Sequence, residues 1–587
     1  MNYNLLTMSS AWYDLVVIGG GPAGATLACL AKKYNPKRKI LLLERARFPR
    51  HHVGESLLPE VVPILKEMGV HRKIERAGFP RKVGAVYAWG KDRRPWFADF
   101  GQLKIDRRIY RATRLPDDCD FAWQVDRSLY DKILLDHAAE RGVEVREGWE
   151  ALELREESGE IRGLVARDGD GRRSFIAAGF VADCSGQASF LSRYRELRRP
   201  IPQLKNVAAY AYFKGGKWKY RIAGRPNATR IFIGSTPNGW FWHIPISREV
   251  TSVGLVVPAA HLKKRKITDI RRYFEASLRR CPEIWPLLRA AERVRAPGGG
   301  GDFFIQRDWS YRNVNSAGPG WIAAGDSALF VDPILSSGVL VAQLSAQRAA
   351  YTLGTFWNSN DARLKSELLR AYGEFYREAT SGFLALAAFW YGNDRNANEW
   401  WAQARLALRH LLAVRLDDRK AFLLVSAGLA ANYEKLQRYR GLLLRPNYPY
   451  VHIVSQFLGM RAALESVPAM GLDDIPSLVG RREVRSSWRM DPDKGRMVAG
   501  RELRLLPVRA RSLTGHALTP RLPLGSVQTA VLERLDGKTS VRELARAAAD
   551  AGNLPFATAA IAARGFLREL ALLGGLKVRA GAAARGR

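Results

Sequence analysis

The sequence predicts a protein of the α/β class, α+β overall, with a doubly wound nucleotide-binding domain, an inserted antiparallel sheet and a mainly helical C-terminal region. Three observations predict this fold. A glycine-rich turn joins a strand to a helix near the N-terminus, Gly- and Pro-punctuated apolar runs such as AVYAWG and AAYAYFKGG follow, and helical patterns dominate from Val339 to about Leu443. At 587 residues the chain is long enough for more than one core.

The first element is a strand, turn, helix and second strand over residues 13–45. Gly19, Gly21 and Gly24 form a GxGxxG motif directly after the first strand. The first glycine permits a tight turn, the second lets a pyrophosphate approach the backbone, and the third lets helix and strand pack closely. Glu44 lies 20 residues after Gly24, at the end of the second strand, where it can bind a ribose hydroxyl. These residues predict a Rossmann-like dinucleotide site.

The later sequence distinguishes FAD from NAD, since both use this unit. The segment WIAAGDSALFVDP contains Gly325 and Asp326, and places an acidic residue after a short apolar strand. It resembles the second FAD motif of flavoprotein monooxygenases of the hydroxybenzoate hydroxylase type, and VADCSG around Asp183 resembles a further element of that fold. The resemblance implies a Rossmann-like FAD-binding domain. It also implies cofactor contacts from Ala23, Arg45, Gly54, Glu55, Ser56 and Arg127.

A second resemblance concerns the chemistry. The segment WFWHIP, with Trp240 and Trp242 on one face of a strand, is similar to the WxWxIP motif of flavin-dependent halogenases. PRHHVGESLLP at 49–59 and PILSSGV at 333–339 are similar to the branch of that family that acts on phenolic, pyrrolic or carrier-bound substrates. The likeness covers roughly residues 12–430. It implies an FADH2-dependent halogenase that uses O2 and chloride or bromide to make hypohalous acid in natural-product biosynthesis.

The halogenase resemblance also assigns roles to individual residues. Lys82 aligns with the lysine that holds or converts hypohalous acid near the substrate, and the two tryptophans keep that substrate away from the flavin. The Ser337-Gly338 turn leads into a helix and is expected to bind halide through backbone N–H groups. Leu335 stands where the tryptophan-specific branch has a glutamate. We therefore expect an electron-rich or separately activated substrate, not free tryptophan.

The charge balance bears on partners. The chain has 93 basic and 57 acidic residues, a net charge of +36, but the excess is spread along the sequence and no nucleic-acid motif accompanies it. We expect no nucleic-acid partner. A generally basic surface is one interpretation of the charge, and attraction of an acidic carrier protein that holds the substrate is the other. The family resemblance further implies a separate NAD(P)H-dependent flavin reductase.

Cysteine spacing and hydropathy bear on the compartment. The four cysteines have no paired spacing that would hold a metal or build a disulfide framework, which suits a reducing cytoplasm, and no metal site is expected. No apolar run reaches the roughly 18 residues of a membrane-spanning helix. The sequence therefore predicts a cytoplasmic protein without a membrane span.

These patterns also predict domain boundaries. The predicted bounds are 12–80, 122–200 and 300–350 for the FAD-binding domain, 81–121 and 201–299 for the inserted sheet, 351–480 for the helical region and 481–587 for a basic C-terminal region. Residues 161–183 are predicted to add strands to the nucleotide-binding sheet. A helix, a turn at Asp536-Gly537 and a helix capped by Thr539 or Ser540 suggest a winged-helix-like module, or a packing appendage without a partner.

Two other functions stay open at this level. An aromatic hydroxylase or other FAD-dependent oxidoreductase on the same fold would reduce its own flavin with NAD(P)H and insert oxygen. A flavin-binding regulatory or scaffold protein would act through its C-terminal module and keep FAD as a structural group. Formation of a halide-dependent product distinguishes a halogenase from both.

Overall fold

The structure is a computed structural model. It describes residues 7–90, 94–101, 120–307, 309–391, 470–479, 481–491, 493–506, 510–511, 517–518, 521–572 and 576–579. Helices and strands are numbered in chain order. The helices are α1 (Pro22–Tyr34), α2 (Val61–Met68), α3 (His71–Arg76), α4 (Arg127–Glu140), α5 (Phe190–Tyr194), α6 (Ala259–Lys264), α7 (Ile270–Arg279), α8 (Trp285–Leu288), α9 (Gly338–Trp357), α10 (Ala362–Tyr391), α11 (Ser526–Glu533), α12 (Val541–Gly552) and α13 (Phe556–Leu572).

A six-stranded, mainly parallel sheet forms the nucleotide-binding part of the molecule. Its strands, in spatial order, are β21 (Ala317–Gly318), β22 (Trp321–Ala323), β11 (Val181–Asp183), β2 (Leu15–Ile18), β3 (Ile40–Glu44) and β7 (Glu144–Glu147). Strands β2 and β3 are fully buried runs of aliphatic residues, as expected for a parallel sheet that is covered on both faces. The helix α1 follows β2 directly and packs against α9, which begins about 300 residues later in the chain.

A separate four-stranded sheet lies beside the parallel one. Its strands, in spatial order, are β1 (Thr7–Tyr13), β10 (Arg173–Ala178), β9 (Glu160–Arg167) and β8 (Glu150–Glu157). The sequence interpretation placed residues 161–183 in the nucleotide-binding sheet, and this was wrong for all but β11. The pattern of apolar residues identifies β9 and β10 as strands, but they form antiparallel pairs with their neighbours along the chain instead of joining the parallel sheet.

The inserted sheet has ten strands and is the largest among the described residues. They are β4 (Arg81–Ala88), β5 (Trp96–Asp99), β6 (Ala122–Trp123), β13 (Asn206–Lys214), β14 (Arg221–Ile222), β15 (Arg225–Thr236), β16 (Gly239–Pro245), β17 (Val250–Pro258), β18 (Glu292–Val294) and β19 (Phe303–Arg307). The sheet is mixed, not purely antiparallel as predicted, because β4 and β15 come from two separate excursions of the chain and pair in parallel. β6 and β19 lie just beyond the predicted bounds of the insertion.

A small three-stranded sheet follows the inserted one. It consists of β12 (Arg198–Pro200), β20 (Tyr311–Asn313) and β23 (Leu329–Phe330). The C-terminal strands are β24 (Ile475–Leu478), β25 (Arg481–Asp491), β26 (Arg496–Leu506), β27 (Ala510–Arg511), β28 (Ala517–Leu518), β29 (Arg521–Leu524) and β30 (Leu576–Arg579).

The C-terminal part differs from a mainly helical region. The helices α9 and α10 agree with the predicted helical pattern, residues 392–469 lie outside the described residues, and β25 and β26 then form a long antiparallel hairpin extended by β29. The predicted pair of helices is present as α11 and α12. Ser540 caps α12 in a reciprocal hydrogen-bonding arrangement with Glu543. The helices α11 to α13 share an apolar core that includes Val531, Leu544 and Phe566.

Among the described helices, none combines the length and the apolar character that crossing a lipid bilayer requires.

Candidate active site

A cavity of about 880 Å³ lies between the glycine-rich turn of the parallel sheet and the inserted sheet. Fourteen of the residues predicted from the sequence line it, namely Gly19, Gly21, Ala23, Glu44, Arg45, Gly54, Glu55, Ser56, Arg127, Trp240, Trp242, Asp326, Ser337 and Gly338. The other three, Gly24, Gly325 and Lys82, are not part of its surface, and each contacts or adjoins a residue that is. Residues from five separate stretches of sequence therefore meet at one cavity.

The glycine-rich turn has the geometry that the motif predicts. Gly19 has a φ of +104°, and a Cβ atom there would lie 2.4 Å from the carbonyl oxygen of Cys184. A Cβ atom on Gly24 would lie 1.9 Å from the carbonyl oxygen of Gly19, so this glycine is needed for close packing. A Cβ atom on Gly21 would meet only the Arg50 guanidinium, at 3.5 Å, and would project into open space. That space fits a pyrophosphate approaching the N-terminus of α1.

Glu44 is fixed at the end of β3. Its two carboxylate oxygens accept hydrogen bonds from the backbone N–H groups of Gly20, at 2.7 Å, and Ala46, at 2.9 Å. Arg50 lies 3.9 Å from the same carboxylate. A carboxylate has four acceptor positions, so these bonds orient Glu44 and leave it able to accept a hydrogen bond from a ribose hydroxyl.

Arg127 supports the loop that forms one side of the cavity. Its Nε and Nη2 atoms donate to the Asp131 carboxylate at 2.8 and 2.9 Å, and its Nη1 atom donates to the carbonyl oxygen of Val53 at 2.8 Å. Gly54 follows with a φ of +107°, and a Cβ atom there would lie 2.8 Å from Arg127 Nη1. The salt bridge to Asp131 therefore orients Arg127, and the bond from Arg127 to Val53 stabilises the loop at Gly54.

Buried carboxyl groups face the cavity. Burial raises the pKa of Asp326 to about 7, an effect that the positive charge of Arg127 partly offsets. Burial also raises the pKa of Glu55, whose Oε1 atom accepts a hydrogen bond of 2.7 Å from the Tyr212 hydroxyl. Gly325 has a φ of +69°, and its backbone N–H donates to the hydroxyl of Tyr376 at 2.7 Å. Asp326 is thus placed by a turn that only glycine adopts readily.

The two tryptophans of the WxWxIP motif lie side by side on β16. Their ring centroids are 5.9 Å apart, and both rings face the cavity. The Trp242 indole N–H donates to the Ser252 hydroxyl at 3.1 Å, and the Trp240 indole N–H donates to the Tyr391 hydroxyl, also at 3.1 Å. These bonds fix both rings, so together they form a rigid aromatic side of the cavity.

Lys82 lies on β4 behind this cavity and is only 2% exposed. Its Nζ atom donates to the Ser56 hydroxyl at 2.8 Å and to the carbonyl oxygen of Leu57 at 2.9 Å. Burial lowers the pKa of the amine to about 7, because the protonated form is poorly solvated there. Ser56 also lines the cavity, so this residue connects the cavity wall to the buried amine. The sequence resemblance suggested a cofactor contact for Ser56 and did not indicate its bond to Lys82.

The Ser337-Gly338 turn begins α9 at the edge of the cavity. Ser336, just before it, has a φ of +50°, which turns the chain sharply into the helix. Within the described part of the chain, no side chain caps the N-terminus of α9. A helix start of this kind exposes backbone N–H donors, the groups that bind a halide ion.

A hydrogen-bonded group beside this turn was not predicted from the sequence. The Asp332 carboxylate accepts bonds of 3.0 Å from the Tyr391 hydroxyl and 3.2 Å from the Asn206 amide. Burial raises the pKa of Asp332 to about 7. Because Tyr391 also accepts from Trp240, the group connects the end of α10 to the aromatic side of the cavity. Asn206 and Tyr391 are 185 residues apart in the sequence, so no local motif predicts this group.

The geometry has counterparts among known proteins. The family model described as "Tryptophan halogenase" matches residues 14–115 and 104–422. Tryptophan 2-halogenase of Chondromyces crocatus is 31% identical over 442 residues, which are 72% of this chain and 78% of that protein. The 1H-pyrrole-2-carbonyl-(peptidyl-carrier protein) chlorinase of Pseudomonas fluorescens is 35% identical over 362 residues, 60% of this chain and 78% of that protein.

Solved structures show a similar fold. The myxobacterial chondrochloren halogenase CndH superposes with a TM-score of 0.58 at 30% identity, over 76% of this chain and 97% of that one. CmlS, a flavin-dependent halogenase, superposes with a TM-score of 0.67 at 23% identity, over 98% of this chain and 97% of that one. The match to CmlS therefore extends through the C-terminal region, whereas the match to CndH leaves about a quarter of the chain uncovered.

Proposed function

This chain belongs to the tryptophan halogenase family and is a flavin-dependent halogenase, and from that premise we propose how its own residues carry out the reaction. We propose that the flavin is FAD, used in its reduced form with O2 and with chloride or bromide. Bound in the cavity, it supplies the oxidation of halide to hypohalous acid. The observation that carries the proposal is the convergence of the glycine-rich turn, Asp326, the Ser337-Gly338 turn and the tryptophan pair on one cavity.

The residues that would hold FAD divide by chemistry. The open space at Gly21 and the N-terminus of α1 suit the pyrophosphate, and Glu44 suits a ribose hydroxyl. Asp326 is placed to bind polar atoms further along the cofactor. The Ser337-Gly338 turn would hold the halide by backbone N–H groups, which bring positive potential without a competing nucleophile.

Lys82 would receive the oxidant. An amine whose pKa lies near 7 is largely neutral at slightly alkaline pH, so it can act as a hydrogen-bond partner or as a nucleophile. Trp240 and Trp242 keep the organic substrate out of the flavin cavity, so the oxidant travels and the substrate does not. Ser56 lines the cavity and accepts a hydrogen bond from the amine, so the oxidant would reach Lys82 past this residue.

The substrate class follows from the missing carboxylate at Leu335 and from the charge of the protein. We propose that the substrate is an electron-rich aromatic group or an activated acyl group on an acidic carrier protein. The name of the similar chlorinase from Pseudomonas fluorescens describes a pyrrole substrate bound to a peptidyl-carrier protein. The net charge of +36 would speed encounter with an acidic carrier in a salt-dependent manner. Equal, salt-insensitive turnover of the free acid and the carrier thioester would contradict this assignment.

A separate NAD(P)H-dependent flavin reductase is the proposed partner. We expect the purified protein to bind FAD and to oxidise NADH slowly until a reductase is added. Rapid reduction of bound flavin by NADH with the purified protein alone would contradict it.

One experiment tests the proposed function directly. The protein is incubated with FAD, a flavin reductase, NADH, chloride or bromide, and a panel of phenols, indoles, pyrroles and carrier-bound pyrroles. We expect products whose isotope patterns show incorporated halogen and which disappear when halide is omitted. Products that instead contain one added oxygen, formed at the same rate without halide, would overturn the proposal.

A further inference from the structure

Gln124 is a buried amide next to Lys82 that the reaction described above does not use. It follows β6 and precedes α4, and its exposed fraction is 0%. Across the described ranges, neither its Oε1 atom nor its Nε2 atom has a hydrogen-bond partner. Its backbone N–H is bonded to the carbonyl oxygen of Pro80 at 2.9 Å, so the main chain here is firmly held. A buried amide without a partner is costly to folding, and such groups in native proteins call for an explanation.

Strand pairing shows where the Gln124 side chain points. In the antiparallel pair of β4 and β6, Lys82 lies directly opposite Ala122. Gln124 is two residues beyond Ala122, so its side chain lies on the same face of the sheet as that of Lys82. Ser56 faces Gln124 across an isolated antiparallel bridge on the other side. The bond between Lys82 Nζ and Ser56 Oγ confirms that Lys82 and Ser56 share this face.

Three side chains from three segments of the chain therefore share one buried face of the sheet. Ser56 borders the flavin cavity, Lys82 supplies the amine, and Gln124 supplies an amide with a free donor and a free acceptor. The Phe100 ring lies 5.6 Å from the amine and makes the surroundings apolar. A small neutral oxoacid has one O–H donor and one acceptor oxygen, which complement the two ends of an amide.

We propose that the Gln124 amide binds hypohalous acid beside Lys82, and thereby holds the oxidant between the flavin cavity and the organic substrate. The inference rests on the proposed function, since it requires that the oxidant leave the cavity. The Oε1 atom accepts the O–H of the acid and the Nε2 atom donates to its oxygen. The amide makes and breaks no covalent bond, and its effect is to keep the oxidant from diffusing away.

The first test compares Gln124→Leu with the wild-type holoenzyme. Leucine is of similar size, cannot form these hydrogen bonds and, unlike methionine, does not itself consume hypohalous acid. Halogenated product is measured per O2 consumed, with catalase present and free methionine in solution to capture escaping oxidant as its sulfoxide. We expect product per O2 to fall tenfold or more and captured sulfoxide to rise to match. Unchanged product per O2 would overturn the inference.

The control is Thr251→Val. Thr251 on β17 is likewise fully buried with no partner for its hydroxyl in the described part of the chain, but it does not line the cavity. We expect this variant to keep the wild-type ratio of product to O2. An equal loss in both variants would show a general packing effect and would also overturn the inference. If Gln124→Leu does not fold, Gln124→Asn keeps the amide but withdraws it by one methylene group, with the same expected direction.

The second test does not depend on turnover. The protein with oxidised FAD is treated with one equivalent of hypochlorite, and chlorinated lysines are located by peptide mass spectrometry. Chlorination forms the N–Cl bond and breaks the O–Cl bond, while the amine proton leaves with hydroxide as water. We expect Lys82 to be modified before the exposed lysines in the wild type and to lose this preference in Gln124→Leu.

The two tests separate the inference from the proposed function. If the wild type forms no halide-dependent product, the proposed function fails, whatever the variant does. If the wild type halogenates but Gln124→Leu retains both the coupling of product to O2 and the preference for Lys82, only the role of Gln124 fails. A preference for Lys82 that is already absent from the wild type overturns the inference as well.

Discussion

The cavity region and the C-terminal region differ in how far their ionisable side chains are exposed to solvent. Around the cavity, Lys82, Glu55 and Asp332 are buried and Asp326 is half-buried, and desolvation shifts the pKa of each so that its neutral form is favoured. In the C-terminal helices the core is apolar, and backbone N–H groups at turns lower the pKa of the exposed Asp536 and Glu543 carboxyls.

The difference indicates that the residues around the cavity lower the stability of the fold and are retained for the reaction. A buried ionisable group costs stability unless it is paired, and proteins retain such groups mainly where they act. The C-terminal helices show the opposite arrangement, in which the charged groups stay in solvent and serve as helix caps. The contrast predicts that substitutions near the cavity change activity strongly, whereas substitutions in the C-terminal helices change local stability only.

The largest expected effect is that of Lys82→Ala. Halogenated product should fall about 10²-fold or more, as for the loss of a positioned acid, base or nucleophile. Binding of FAD should persist, because Lys82 does not line the cavity. Lys82→Arg should not restore product, since a guanidinium stays protonated. Product formation and FAD affinity are measured side by side, with Lys132→Ala, a substitution at a surface lysine paired with Asp136, as the control. If Lys82→Ala formed product at nearly the wild-type rate, Lys82 would have no role in halogenation.

A pair of glycine substitutions separates packing from cofactor binding. Gly24→Ala places its Cβ atom 1.9 Å from the Gly19 carbonyl oxygen, so it should destabilise the fold by several kcal/mol, on the order of the largest single-site effects. Gly21→Ala meets no such clash, so the melting temperature of the protein without flavin should change little while FAD affinity falls. Thermal unfolding and flavin titration distinguish the two. Equal losses of stability would show that Gly21 also serves packing.

The pH dependence of halogenation should report the Lys82 amine. Its pKa is lowered to about 7, so the amine is protonated below that pH, and product formation that needs the neutral form should rise about tenfold per pH unit up to about pH 7 and then level off.

The stability of the protein should also depend on the Lys82 amine, but at pH values above about 7. Between about pH 7 and the usual amine pKa of 10.5, the unfolded chain binds more protons than the folded one, so the free energy of unfolding should rise with pH. Lys82→Met should reduce that slope. A slope that is identical in wild type and variant would mean that the buried amine titrates as it does in the unfolded chain.

The smallest effect is expected in the C-terminal helices. Ser540→Ala removes the cap of α12, which should cost about 1 kcal/mol of local stability. Hydrogen exchange in α12 should quicken, while halogenation and FAD affinity stay at wild-type values. A change in either activity measure would contradict the separation of the two regions.

The sequence predicts the parts of this site that local patterns encode. The glycine turn, Glu44 and Asp326 depend on short motifs whose spacing follows from one turn between a strand and a helix, and the structure brings them to one cavity. The cap at Ser540 and the turn before it are equally local. Geometry that depends on neighbouring residues can therefore be predicted from the sequence without knowledge of the whole fold.

The remaining features depend on pairing between distant segments. The parallel pairing of β4 with β15, and the separate sheet of β8 to β10, are decided by which strands meet, and the apolar pattern of each strand leaves that open. The Asp332 group and the place of Gln124 beside Lys82 arise in the same way. Gln124 carries no motif, and only the register of two strands brings it to the amine.

The helix α9 joins the two regions physically. At its first turn lies the proposed halide site, and further along it Arg348 donates to the carbonyl oxygen of Trp488 at 3.1 Å and Thr355 accepts from the backbone N–H of Met497 at 2.8 Å. Anyone shortening this enzyme for engineering should therefore not treat the last hundred or so residues as a detachable tag. Cutting the hairpin away would uncover one side of α9 and leave unpaired groups and apolar surface that promote aggregation.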